Sequence, residues 1–288
     1  MIMPEDFPIR LTARMSGLII LTPPTDKIAT ITCPDASQII FTYNNLDRMT
    51  AMQDAIGTAS YSYDDAGRLT SMTDSNGFTV SYGYDASGNL TTLTYPGNKV
   101  VTYIYDALNR MKTVTINWLS QTATYADYDA AGRLPGFTNF NGTQTTYSYD
   151  NANRLTAISN KKADSSVIAG YTFTLDGNGN RTSVAQSEPY APSIGEGDAT
   201  YTYNTQKNRL LSTSAGGSFG YDDEGQLQSG YSTDYTFDYE HRLKTIGGTQ
   251  FYYDGGGKRL KALRDGVTTR YIYDAGGTLL AEADANKA

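Results

Sequence analysis

A single cysteine, a single histidine and a single tryptophan stand in 288 residues. Cys33 by itself closes no internal disulfide and supports no multi-cysteine metal site, so neither cross-links nor zinc can be expected to hold the fold. Positive charge is also in deficit: 23 Lys and Arg against 30 Asp and Glu leave a net charge of −7 and a pI near 4.7. Without a cationic field to displace counterions from phosphates, nucleic acid drops out as a partner class. Long apolar runs are missing as well. The N-terminal stretch MIMPEDFPIRLTARMSGLIILTPP holds only the short run Leu18 to Leu21, with no small-residue cleavage site behind it. It fits neither a signal peptide nor a membrane span, and export, if it occurs, needs another route or a leader already removed.

What the chain has in quantity is tyrosine, 24 residues, and glycine, 28 residues. Its apolar content leans on aromatic rings rather than on runs of Leu and Ile, a strand-and-turn composition. The tyrosines recur in near-identical phrases. YSYDDAGRL at residues 61–69 returns as YGYDASGNL at 82–90, YIYDALNRM at 103–111, YSYDNANRL at 147–155 and YIYDAGGTL at 271–279. One active site needs one constellation, so a phrase used this often builds something.

Tyr43, Tyr63, Tyr84, Tyr105, Tyr128 and Tyr149 occupy one equivalent position at steps of 20, 21, 21, 23 and 21 residues. Further copies fall at Leu175, Tyr203, Tyr221, Phe237, Tyr253 and Tyr273, twelve in all, with wider steps around two expected loops near 159–170 and 184–199. A repeat of this length is the signature of a stacked array. Tyr-x-Tyr has period two, which sets both rings on one face of an extended strand. The Asp that follows opens a turn: its carboxylate accepts backbone N–H groups two residues on, and the third residue after it closes a type I turn with a glycine bulge at positive φ.

The candidate structural sites are therefore the turn pairs Asp64 and Gly67, Asp85 and Gly88, Asp106 and Asn109, Asp129 and Gly132, Asp150 and Asn153. Gly179, Gly225, Gly257 and Gly277 stand in the same place, with Asp47 and His241 as less usual occupants, and no β-branched residue is found there. These are the residue types that tolerate positive φ. The candidate aromatic ladder is Tyr61, Tyr63, Tyr82, Tyr84, Tyr103, Tyr105, Tyr147, Tyr149, Tyr271 and Tyr273.

Each second strand leads to a second turn, at Asn76-Gly77, Gly97-Asn98, Asn141-Gly142, Gly216-Gly217, Gly247-Gly248 and Asp265-Gly266. Such pairs suit two-residue primed turns. The expected fold is all-β: tandem antiparallel hairpins in one meander of about 24 strands, coiled or curled rather than flat. Its expected organisation is a non-repeat segment at 1–27, the array at 28–283 and a tail at 284–288. Ile31-Thr32-Cys33-Pro34-Asp35 aligns with Leu93-Thr94-Tyr95-Pro96-Gly97, so the array is expected to begin in mid-hairpin with an open strand edge that invites another chain.

These phrases resemble the YD repeats of the Rhs family, found also in wall-associated bacterial proteins, in the B and C subunits of Tc toxins and in the teneurin shell. The resemblance spans about residues 28–283. It implies a spiralling β-strip that forms part of a hollow shell, a structural protein secreted or at the cell surface. Toxin-releasing members end their core with an Asp-Pro-containing autocleavage segment. No Asp-Pro dipeptide occurs in this sequence, so the resemblance carries over structural residues and no catalytic ones.

Four local patterns compete with the repeat reading. Gly216-Gly-Ser-Phe-Gly220 matches the G-x-S-x-G of a nucleophile elbow, but that chemistry needs a strand-to-helix turn and a histidine base, and His241 sits at a repeat turn. Asp176-Gly-Asn-Gly-Asn180 has the early spacing of a calcium loop, yet Arg181 takes the sixth place and Ser187 the twelfth. Cys33 reads as a small filler, with no histidine in its repeat. Arg68, Arg110, Arg133, Arg154, Arg209 and Arg242 form a periodic row that reads as a solvated face paired with turn aspartates. No cofactor and no metal are expected. The tyrosine ladder reads as mortar between copies; rings left on an open face would instead offer a platform for carbohydrate or protein, and Trp118, in a lengthened loop, fits either reading. The expected function is a non-enzymatic scaffold that associates through its strand edges. The alternative is an adhesive surface module.

Overall fold

A computed structural model of the chain describes residues 19–21, 27–189, 200–204, 208–214 and 217–284, with side chains from residue 27 onward. Among the described residues there are 27 strands, two short 3-10 turns and no α-helix. Neighbouring strands are antiparallel and follow chain order in three sheets, of 16, 3 and 8 strands. The 16-stranded sheet runs from Ile19–Leu21 to Arg181–Ser187, the 3-stranded sheet holds Tyr201–Tyr203, Leu210–Thr213 and Gly217–Ser218, and the third runs from Gly220–Tyr221 to Leu279–Asp284.

Three strands exceed those that twelve hairpins need. Thr30–Thr32 opens the array, Ile19–Leu21 pairs with it, and one strand is broken at Phe219 into Gly217–Ser218 and Gly220–Tyr221. The pairing of Ile19–Leu21 with Thr30–Thr32 corrects the expectation of an open edge there: Thr30–Thr32 has a partner on both sides. The loop expected at 159–170 is largely strand, because Leu155–Lys161 and Val167–Leu175 pair with each other and leave only a short turn between. The loop expected at 184–199 is strand up to Ser187, and 190–199 lie outside the described residues.

The repeat leaves one mark in almost every copy. The ladder register slips between the two residues that end the first strand, at Thr42/Tyr43, Ser62/Tyr63, Gly83/Tyr84, Ser148/Tyr149, Thr236/Phe237, Tyr252/Tyr253 and Ile272/Tyr273. This is the bulge that a type I turn with a left-handed fourth residue imposes on its hairpin. The Tyr128 copy departs from the pattern. Its first strand, Gln121–Tyr125, stops short of Tyr128 and its second, Gly136–Thr138, starts late, since Pro135 has no N–H to give the ladder.

The second turns are of more than one kind; at Gly247-Gly248 only the first central residue has positive φ. Both central residues have positive φ at Gly97-Asn98 and Asp265-Gly266, as a type I′ turn requires. At Asn76-Gly77 and Asn141-Gly142 only the glycine does, and Gly77 and Gly142 donate back to the Asp74 and Asn139 carbonyls. These two copy the repeat turn because an Asp or Asn stands ready to accept its N–H groups: Asp74 Oδ1 takes those of Asn76 and Phe78, and Asn139 Oδ1 takes that of Phe140.

The described residues form two compact units: those up to Val80 together with those after Glu196, and those between 81 and 196. In the first, Ile31, Ile39, Phe41, Met52 and Ala59 form a buried cluster against Ile28, Tyr43, Met49 and Tyr61. Val80 and Leu260 are the large side chains most completely buried. Removing a Leu side chain from water in this way contributes about 2 kcal/mol. In the second unit Tyr82, Leu93, Val101 and Ala123 are buried, while the whole strand Arg181–Ser187 is exposed.

Candidate functional site

The repeat turn is closed by four hydrogen bonds. Asp64 donates its N–H to the Arg68 carbonyl and receives the Gly67 N–H on its own, both at 2.9 Å. Its side chain then takes the Arg68 N–H on Oδ1 and the Arg68 guanidinium on Oδ2, each at 2.8 Å. The same arrangement holds for Asp106 and Arg110, Asp129 and Arg133, Asp150 and Arg154, and Asp238 and Arg242. At Asp85 and Asp176 an asparagine, Asn89 or Asn180, replaces the arginine. The residue three after the Asp has positive φ at Gly67, Gly88, Asn109, Gly132 and Asn153, from 60° at Asn109 to 88° at Gly88. Asp47 and His241 adopt it too, at 59° and 61°.

These hydrogen bonds set the acidity of the row. The Arg110 side chain, then its backbone N–H, holds Asp106 below the usual carboxylate range. Asn89 does the same for Asp85 and Asn180 for Asp176, while the backbone N–H groups of Arg133 and Arg154 lead at Asp129 and Asp150. At Asp64, partial desolvation pushes upward but the Arg68 hydrogen bonds outweigh it.

Two longer stitches join one copy to the next, and sequence reasoning missed both. The second tyrosine of a copy reaches back with its hydroxyl to a carbonyl 14 or 15 residues earlier: Tyr43 to Ile28, Tyr63 to Met49, Tyr105 to Leu90, Tyr149 to Leu134 and Tyr273 to Arg259, at 2.8–3.0 Å. The arginine reaches forward: Arg133, Arg154 and Arg209 each donate from Nη1 to the carbonyl of the next turn aspartate, Asp150, Asp176 and Asp222, at 2.8–3.0 Å. Its guanidinium also lies over the next aromatic ring, as Arg110 does over Tyr128 at 4.3 Å and Arg133 over Tyr149 at 5.1 Å. The arginine row therefore spans neighbouring turns instead of standing free in solvent. Its constant one-copy spacing was the signal available in the sequence.

Of the ladder, Tyr82 is buried; Tyr61, Tyr63, Tyr84, Tyr103, Tyr105, Tyr147, Tyr149, Tyr271 and Tyr273 are half-buried. In Thr58–Tyr63 the alternation is plain: Thr58, Ser60 and Ser62 are exposed, and Ala59, Tyr61 and Tyr63 face inward. The exposed tyrosines lie elsewhere in the chain, at Tyr201, Tyr203, Tyr231 and Tyr239. Trp118 packs edge-on against Tyr95 at 5.6 Å.

The remaining candidates are occupied by turn geometry. Ser218 lies in Gly217–Ser218, paired with Ser212 in a strand ladder, and Gly216 is outside the described residues. The His241 Nδ1 faces Glu224 at 3.2 Å. Asp176 spends its carboxylate on Asn178 and Asn180. Cys33 is half-buried, and its backbone closes a turn with Ala36 and Ser37.

Within the first unit, residues far apart in sequence meet in a seam. The turn at Asp254 packs onto early strands: the Gly255 N–H donates to Asp54 Oδ2 at 2.9 Å, and Asn76 Nδ2 donates to the Leu260 carbonyl at 3.3 Å. Gly255 lies so close that a Cβ there would sit 2.5 Å from Ile39 Cγ2. Asp74, Asp254, Lys258, Tyr61 and Tyr273 line one cavity of about 10 Å³ at this seam. Burial pushes Asp74 and Asp254 above the usual carboxylate range and Lys258 below the usual amine range. Burial, then the charges of Asp254, Asp54 and Asp74, pushes the Tyr61 phenol up.

The RHS repeat family model matches residues 43–79, 63–100, 84–119 and 128–167. Among curated proteins none matches the chain. Solved structures that resemble it include the TcdB2-TccC3-Cdc42 complex, at 16% identity and TM-score 0.47, over 90% of this chain and 18% of that one. TcdB2-TccC3 without its hypervariable C-terminal region gives 14% and 0.44, over 94% and 19%. The Photorhabdus luminescens Tc holotoxin pore gives 15% and 0.38, over 92% and 20%. The chain spans about a fifth of the length of each of these solved chains.

Proposed function

We propose, on the premise that this chain carries Rhs repeats, at least at residues 43–119 and 128–167, that it is a non-enzymatic scaffold: a stretch of β-strip that forms part of a larger enclosing wall. The working array is residues 28–283, and it joins further repeat strip or another copy through its strand edges. On this reading it acts secreted or at a cell surface, as the Rhs resemblance implies.

One observation carries the reading. The groups that recur from copy to copy are spent on construction: the turn carboxylate on its own turn and arginine, the tyrosine hydroxyl on the copy before, the arginine on the copy after. A catalytic or ligand-binding row would keep at least one of them for its substrate. The test is light scattering on a sizing column across a concentration series. Defined oligomers or growing assemblies support an edge-joining scaffold; a monomer at every concentration overturns edge joining.

A second reading rests on Tyr201, Tyr203, Tyr231 and Tyr239, which are 51–63% exposed within forty residues. Open rings at this density suit a carbohydrate face. Binding on a glycan array that is lost in Tyr201→Ala with Tyr203→Ala supports it, and a blank array removes it.

A further inference from the structure

We infer that the seam between the Asp254 turn and the early strands is a proton-operated clasp, tight when Asp74 and Asp254 are protonated and loosened as they ionise. The two carboxyls are among the most enclosed polar side chains described, 7% and 8% exposed, and both line the same small cavity. They arrive from opposite ends of the array, so their state is felt where those ends meet.

The geometry leaves the ionised form poorly served. Asp74 Oδ1 is satisfied by the Asn76 and Phe78 N–H groups, but Oδ2 is buried and accepts no hydrogen bond. Asp254 Oδ1 takes the Gly256 and Lys258 N–H groups, as any turn aspartate of the array does. The cavity they share has room for one water molecule at most. Around it stand Asp54 from the turn after Met49–Gln53, Tyr61 from Thr58–Tyr63, Lys258 and Arg259 at the head of the next strand, and Arg270, Tyr273 and Asp274 from the last hairpin. Lys258 is shared between Asp254 and Asp274, and its ammonium donates to the Asp274 carbonyl at 3.4 Å. Four aspartates, Asp54, Asp74, Asp254 and Asp274, thus crowd a seam in which the positive charges are divided among several partners. A buried carboxylate without full hydrogen bonding costs more than the neutral acid in the same place.

The sign follows from burial. Both carboxyls bind their protons more tightly folded than unfolded. Their contribution is fully present below the unfolded value and is lost as pH rises through the folded one. Mild acid therefore closes the clasp, opposite to its effect on the turn row. The device depends only on the seam, and holds whatever the strip encloses or binds.

Amide hydrogen exchange of the intact chain at pH 7 and pH 5, corrected for intrinsic rates, tests it. Protection in peptides covering 74–80 and 254–262 should be higher at pH 5 than at pH 7, while 144–161 in the other unit changes little. In Asp74→Asn with Asp254→Asn the rise should vanish. Equal protection at both pH values, or a rise that persists in the double variant, overturns the clasp. Should that variant not fold, carboxyl ¹³C titration of the wild type decides: both groups titrating above the ordinary aspartate range supports the clasp, and titration at or below it overturns the clasp.

Discussion

The Asp54 carboxylate accepts the backbone N–H of Gly255 at 2.9 Å, across 201 residues of sequence. Asp54 is itself a turn residue, taking the Ile56 and Gly57 N–H groups on its other oxygen. One aspartate thus shapes its own hairpin and anchors a distant one. The contact depends on the absence of a side chain at 255, since Ile39 lies directly beneath. Gly255→Val should therefore destabilise the first unit by about 1–3 kcal/mol through overpacking. Urea denaturation followed by tyrosine fluorescence reads this, and an unchanged midpoint would show that the turn does not rest on Ile39.

The turn row makes a different demand on glycine. Gly67 has φ of +87°, and a Cβ there would run into the Arg48 guanidinium. Gly67→Val should cost at least about 1 kcal/mol, with Gly67→Asn the milder change, since Asn109 and Asn153 hold the same conformation at 60° and 63°. Thermal melts that rank Val and Asn equally would contradict the left-handed geometry.

The backward stitch is tested by one atom. Tyr149→Phe keeps the ring under Arg133 and deletes only the hydroxyl that donates to the Leu134 carbonyl. A loss of about 0.5–1.5 kcal/mol is expected. Tyr147→Phe, whose hydroxyl makes no such backward bond, should lose less. A reversed order in chemical denaturation would remove the stitch as a stabilising contact.

Acid should act on the second unit with the opposite sign from the seam. Asp85, Asp106, Asp129, Asp150 and Asp176 are held below the ordinary range by hydrogen bonds. Their contribution is present above the unfolded value, about 3.9 for Asp, and is lost as pH falls through the folded ones. Amide protection of these hairpins should hold from pH 7 to about 5 and fall only below about 4. Loss beginning near pH 6 would mean that other groups control these turns.

Each turn could be derived from the sequence because its parts lie within five residues of one another. An Asp, a residue tolerant of positive φ three places on and an Arg next to it settle the hydrogen bonds among themselves, whatever surrounds them. The same local logic missed the Asn76-Gly77 and Asn141-Gly142 turns only where the upstream Asp74 and Asn139 went unread. It failed at Tyr128, where Pro135 on the opposite strand withholds an N–H.

The sequence by itself therefore determined the hairpin, its period, its bulge and the placing of both tyrosines of a copy on one face, since these depend on neighbours along the chain and on strand alternation; which face turns inward was decided by the fold. It could not determine which tyrosine hydroxyl meets which carbonyl, though the constant one-copy step contained the hint. Tertiary structure alone decided that Asp54 meets Gly255 and that Asn76 meets Leu260. Nothing in either local phrase marks the other, and twelve similar hairpins offer many equivalent surfaces. The choice among them rests on side chains that differ between copies, Ile39 beneath a bare glycine and Asp74 beside Asp254, and these acquire meaning only once the fold has brought them together.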